Sequence, residues 1–152
     1  MQTFLPDQDF EKSAKVLDNK RLNKQIVEAM QIMSATLDPY VKNGQNHPAC
    51  KMWKGHALTL ATYGLAMCNE YTIRAEYKKH HSYDPIFKML ALSFGSLGIE
   101  SEKPEWLGDE RIHATHRAAL LAKDFEHYSQ FGWHEEPMDL TQKPLPYYWP
   151  VE

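Results

Sequence analysis

Arg21, Lys24, Gln25 and Glu28 lie close together in one polar stretch, a short distance from the amino terminus Met1-Gln2-Thr3-Phe4. On a helix, Arg21, Gln25 and Glu28 fall on one stripe at i, i+4 and i+7, with Lys24 beside them. Leu22, Ile26, Ala29 and Met33 form a separate apolar stripe that can face a core. A lone acid among basic and amide side chains, close in sequence to an amine, is a set suited to nucleophilic and acid–base work. The competing reading is an amphipathic helix with a solvated charged face.

The histidines form the second group of candidates. His113 and His116 stand at i and i+3, with Arg117 next to them. Such a pair can bind a metal only with a third protein ligand, and no His-Glu-x-x-His pattern or carboxylate at a diagnostic offset supplies one, so no metal is expected. They can instead pack against another element or, with Arg117, contact phosphate. The loop Asn43-Gly44-Gln45-Asn46-His47-Pro48 leads into a helix N-terminus followed by Lys51, Trp53 and Lys54. Lysines around an aromatic ring suit a nucleic-acid strand, and Trp53 serves equally well as core. Tyr147, Tyr148 and Trp149 in a proline-rich tail can dock on the body or stack on an extruded base. Nothing resembles a serine triad, a P-loop or a dinucleotide fingerprint.

The elements that must position these groups are helical. Residues 7–16 predict a short helix entered through Asp7 or Asp9, and Asp18 caps a second that runs to about Thr36. Asp38-Pro39 breaks it. His47-Pro48 opens the longest predicted helix, 48–76, with Trp53, Ala57, Leu60, Gly64, Met67 and Tyr71 on one face. A fourth starts at Asp84-Pro85 and ends at Gly95 and Gly98. A fifth runs from about Asp109 to Ser129. No segment alternates with period two, so the expected fold class is all-α: a single domain over 1–152, an irregular bundle of about five helices with an extended aromatic tail.

Composition sets outer bounds. The chain has 152 residues and a net charge of −3, against a general nucleic-acid coat protein but compatible with a local basic patch. Basic residues cluster at 12–24, 42–54, 74–79 and 111–123. Cys50 and Cys68 would lie roughly 27 Å apart along one continuous helix, too far to bridge, and suggest a reducing compartment. No secretory signal or membrane span is apparent, so a cytoplasmic monomer is expected.

Leu17-Asp18 through Val27-Glu28, Asn46-His47-Pro48, Gly108-Asp109-Glu110 and His113-x-x-His116-Arg117 together resemble the pyrimidine-dimer DNA glycosylases of the phage endonuclease V type. Lys24-Gln25-Ile26-Val27-Glu28, Met52-Trp53-Lys54-Gly55 and Tyr128-Ser129-Gln130-Phe131-Gly132-Trp133 are similar to a divergent bacterial and phage branch of that family. The resemblance implies one all-α domain and a DNA glycosylase with abasic-site lyase activity, without cofactor. It makes the N-terminal amine the nucleophile and aligns the catalytic glutamate with Glu28. Gln2 is too bulky to favour methionine removal, so the amine would be that of Met1. Arg21, Lys24 and Gln25 would position damaged or modified duplex DNA, and His47, Lys51, His113, His116 and Arg117 would hold its backbone. Val27 stands where the dimer enzymes carry an arginine. The alternatives are a DNA- or protein-binding helical domain that kept the fold without the chemistry, and a metal-dependent hydrolase using the histidines.

Overall fold

In a computed structural model, which describes residues 1–98 and 103–151, the chain is built from helices and loops, with no strand among the described residues. Seven α-helices are described: α1 Phe10–Val16, α2 Asn19–Leu37, α3 Pro48–Trp53, α4 Ala57–Ile73, α5 Asp84–Ser96, α6 Glu110–Lys123 and α7 Phe125–Tyr128, followed by a 3₁₀ turn at Ser129–Phe131. No helix among the described residues is long and apolar enough to cross a membrane.

Local chemistry accounts for the starts. Asp9, Asp18 and Asp109 each accept from a backbone N–H in the first turn of α1, α2 and α6, and His47 Nδ1 does the same for α3. The carbonyls left over at the end of α1 are taken up by side chains. Arg74 donates to Ala14 O and Lys15 O, and His127 Nε2 lies 2.8 Å from Val16 O.

Two expected helices are broken. The predicted 48–76 helix is divided at Lys54-Gly55-His56, where Gly55 adopts a φ of 82° and ends α3. Cys50 and Cys68 therefore sit on different helices, both as buried free thiols. The predicted helix from Asp109 to Ser129 stops at Asp124, whose φ of −154° is non-helical and whose carboxylate caps α7. These breaks turn about five expected helices into seven.

α2 packs on α4, and α1 and α5 also lie against α4. The apolar stripe Leu22, Ile26, Ala29 and Met33 is buried, as are Trp53, Leu60, Gly64, Met67 and Tyr71 on the expected face of α3 and α4, while Ala57 is half-buried. Trp53 is core: its ring meets the Trp106 ring edge-on at 4.9 Å. Beside this packing Lys24 is exposed on α2, Arg21 is half-buried and Glu28 is buried.

Candidate active site

Chain termini are ordinarily loose unless something ties them down. Here Gln2, Thr3, Phe4, Leu5 and Pro6 are all buried while Met1 is 39% exposed. Each anchor is specific. Trp53 Nε1 donates to Thr3 Oγ1 at 2.9 Å. The Phe4 N–H donates to Gln25 Oε1 at 2.7 Å, and the Tyr63 hydroxyl donates to Phe4 O at 3.0 Å.

Leu5 is held on both its polar groups by the histidine pair. His113 Nε2 accepts from the Gly108 N–H at 3.1 Å, so its proton sits on Nδ1 and is donated to Leu5 O at 2.7 Å. His116 Nδ1 accepts from the Leu5 N–H at 2.9 Å. Burial first, and then its neighbours His113 and Arg117, push His116 down to about 3, which keeps that lone pair available. Arg117 closes the series by donating to Pro6 O at 2.8 Å while paired with Glu135 and Glu110.

The expectation that His113, His116 and Arg117 hold a DNA backbone is therefore corrected. The two rings are 2% and 1% exposed, and the Arg117 side chain is occupied by two carboxylates and a carbonyl. Two buried rings and one half-buried guanidinium, all paired with protein, are committed to holding the amino-terminal segment.

Gln25 departs from expectation in the same way. It is 0% exposed, so it does not touch a substrate. Its Oε1 accepts from Phe4 and shares with Phe4 O the single proton of the Tyr63 hydroxyl, 2.9 Å away, and its Nε2 donates to Glu28 Oε2 at 2.9 Å. Glu28 is itself buried, its side chain 11% exposed, with Lys24 Nζ 3.9 Å from the other oxygen. Tyr147 of the tail closes one side: burial and the Glu28 charge, opposed by Arg21, push its phenol up to about 12. The Tyr147 ring packs edge-on against His116 and Trp149, each at 5.8 Å, and Trp149 packs against His47 at 5.8 Å. The tail is docked on the body, the first of its two expected roles.

The amino terminus neighbours His47 and Cys50. His47 is held below its ordinary value by burial and by the positive amino terminus. Burial raises the Cys50 thiol while the same amine opposes it, and Cys50 Sγ lies 3.9 Å from Met1 Sδ. Met1 borders a cavity of about 500 Å³ with Val27, Met30, Gln31, Ser34, Val41, Asn43, Gly44 and Tyr83. His47 thus caps α3 and borders the amine.

A basic rim flanks the acid. Arg21 pairs with Asp18 at 3.1 Å, and Lys24 is 65% exposed. Lys123, held below its ordinary value first by desolvation and then by Arg21, Lys24 and Lys143, places these four cations in one electrostatic neighbourhood with Glu28. Lys123 and Lys143 carry no motif that singles them out. Lys123 sits in the last turn of α6, where a cation suits the helix dipole, and Lys143 sits in the tail. Lys51 lies elsewhere, in an open groove of about 640 Å³ that also includes Lys54, Lys103, Arg111 and Tyr148; the Arg111 guanidinium stacks 4.5 Å from the centre of the Tyr148 ring.

A family model described as pyrimidine dimer DNA glycosylase matches residues 1–85, more than half of the chain. That span contains Met1, the amino-terminal anchors on α2 and α4, and Glu28; α6 and the aromatic tail lie beyond it. No curated protein and no solved structure matches.

Proposed function

The chain belongs to the pyrimidine dimer DNA glycosylase family, and from that membership together with the geometry around Glu28 we propose a DNA glycosylase with abasic-site lyase activity that removes a damaged pyrimidine from duplex DNA. The observation that carries this reading is the anchoring of residues 3–6. Each is tied by a hydrogen bond to α2, α4, α6 or Trp53, and the Phe4 anchor, Gln25, also bonds Glu28. An amine nucleophile needs such an arrangement, because a loose terminus would not hold it in a reactive position.

In this mechanism the neutral Met1 amine attacks the sugar C1′. The glycosidic C1′–N bond breaks, and the base leaves with the bonding pair and takes up a proton. The nitrogen then loses a proton as the C1′–O4′ bond opens and O4′ is protonated, leaving an imine. Removal of a C2′ proton breaks the C3′–O3′ bond, and the phosphate departs with that pair. Glu28 stabilises the cationic sugar and carries the C2′ proton. Its surroundings support both tasks, since the carboxylate is oriented by Gln25 and has Lys24 and Lys123 as cationic neighbours.

Arg21, Lys24, Lys123 and Lys143 engage phosphates beside the acid, where their charge offsets the unfavourable approach of DNA to a carboxylate. Lys51, in its separate groove of mixed charge, would add a further phosphate contact, and His47 borders the nucleophile. Borohydride trapping on duplexes carrying either an abasic site or a thymine dimer tests the proposal. The expected result is a covalent adduct that maps to the peptide containing Met1. Absence of an adduct on both duplexes, with DNA binding retained, would leave the non-catalytic binding domain as the better reading.

A further inference from the structure

The buried Gln25 amide joins the two halves of the proposed machinery, and this inference rests on the lyase reading above. Its orientation is dictated by chemistry. Oε1 faces the Phe4 N–H at 2.7 Å, a backbone group able only to donate, and also receives the Tyr63 hydroxyl at 2.9 Å. A flipped amide would set NH₂ against N–H, so Nε2 is forced to face Glu28 Oε2, 2.9 Å away. We infer that Gln25 is a positioning residue that holds the Glu28 carboxylate in fixed register with the start of the chain, so that amine and acid act on the same sugar.

Several features support this role over ordinary core satisfaction. Both ends of the amide are used, one on the amino-terminal segment and one on the acid. The acceptor end is reinforced from α4 by Tyr63, whose fully buried phenol is raised well above its ordinary value by desolvation and the nearby Glu28 charge and therefore stays protonated as a donor. Other charged or titratable groups that interact with the carboxylate are Lys24 on α2, Lys123 on α6 and Tyr147 of the tail, with Arg21 acting on both Lys123 and Tyr147. Lys24 is 65% exposed at 3.9 Å, too loosely held to orient the acid by itself.

Gln25→Glu tests the inference because it keeps the shape and retains an acceptor for Phe4 and Tyr63. Only the face toward Glu28 changes, from donor to carboxylate. Below the upper titration of the resulting acid pair, one shared proton restores a donor and Glu28 stays in place; above it, the two negative charges repel. The measurement is the single-turnover rate of borohydride-trapped adduct formation on an abasic-site duplex at saturating protein, across pH, beside the DNA Kd. The expected result is a new alkaline loss of about tenfold or more relative to wild type between about pH 6 and pH 9, with Kd unchanged. Gln25→Met, which removes the donor at every pH, should be slow throughout. A Gln25→Glu profile parallel to wild type would overturn the positioning role alone. Absence of adduct from wild type would overturn this inference together with the lyase reading.

Discussion

Lowering the pH from about 7.5 to about 5 should destabilise this protein by about 2 kcal/mol through His116 alone. The ring is 1% exposed and its folded value is pushed down to about 3 from an ordinary 6.5, first by burial and then by His113 and Arg117. In the unfolded chain the imidazole protonates as pH falls through 6.5; in the folded chain it stays neutral until about 3. Between those values the unfolded state binds the extra proton, so stability is full above 6.5 and falls progressively as pH drops toward 3. At pH 5 the folded ring is still uncharged, and the size of the loss is set almost wholly by protonation of the unfolded chain. The assay is urea unfolding followed by tryptophan fluorescence at both pH values, comparing wild type with His116→Asn. Asn Oδ1 can take over the acceptor position toward the Leu5 N–H at 2.9 Å without titrating. The variant should therefore lose about 2 kcal/mol less than wild type over the same interval, whatever its stability at neutral pH. Equal losses in the two proteins would refute the reasoning, because they would show that His116 gains its proton in the folded state as readily as in the unfolded one.

Other outcomes follow from the site. Glu28→Gln should abolish strand cleavage with DNA affinity nearly unchanged, and one residue added before Met1 should prevent the trapped adduct; both are read on denaturing gels. Lys123→Ala and Lys143→Ala should each weaken binding and reduce the slope of log affinity against log salt by about one. Arg117→Ala should leave that slope alone and instead cost about 1–3 kcal/mol of stability, since Pro6 O and Glu135 lose their partner. Gly44→Ala should cost about 1–2 kcal/mol by thermal unfolding because its φ of 89° strains any side chain. The new methyl would also lie 2.8 Å from Met1 Cε, so Met1 should shift and adduct formation slow.

The helical class, the cap at Asp18, the choice of Asp7 or Asp9 as a cap and the buried stripe Leu22, Ile26, Ala29 and Met33 were legible in the sequence. All depend on interactions within a few residues: a carboxylate and the N–H groups three positions on, or side chains repeating at the helical period. The family motifs that point to Glu28 lie on that same short-range pattern in α2. The interruption at Gly55 was written locally too, yet apolar periodicity continuing through Trp53 and Leu60 masked it. Asp124 was similarly hidden by the helical sequence on either side.

The partners of the polar residues were decided by tertiary structure alone. His113, His116 and Arg117 look from their spacing like a face free to meet phosphate, but the backbone they hold is 108, 111 and 111 residues away. Gln25 reads as one more polar group on an exposed stripe, and it is buried because the amino-terminal segment, α2 and α4 converge on its amide. Lys123 and Lys143 join the basic rim only because α6 and the tail return beside α2. Helical periodicity records which face of a segment is apolar; it holds no information about which distant donor or acceptor will meet a polar side chain once that face is buried.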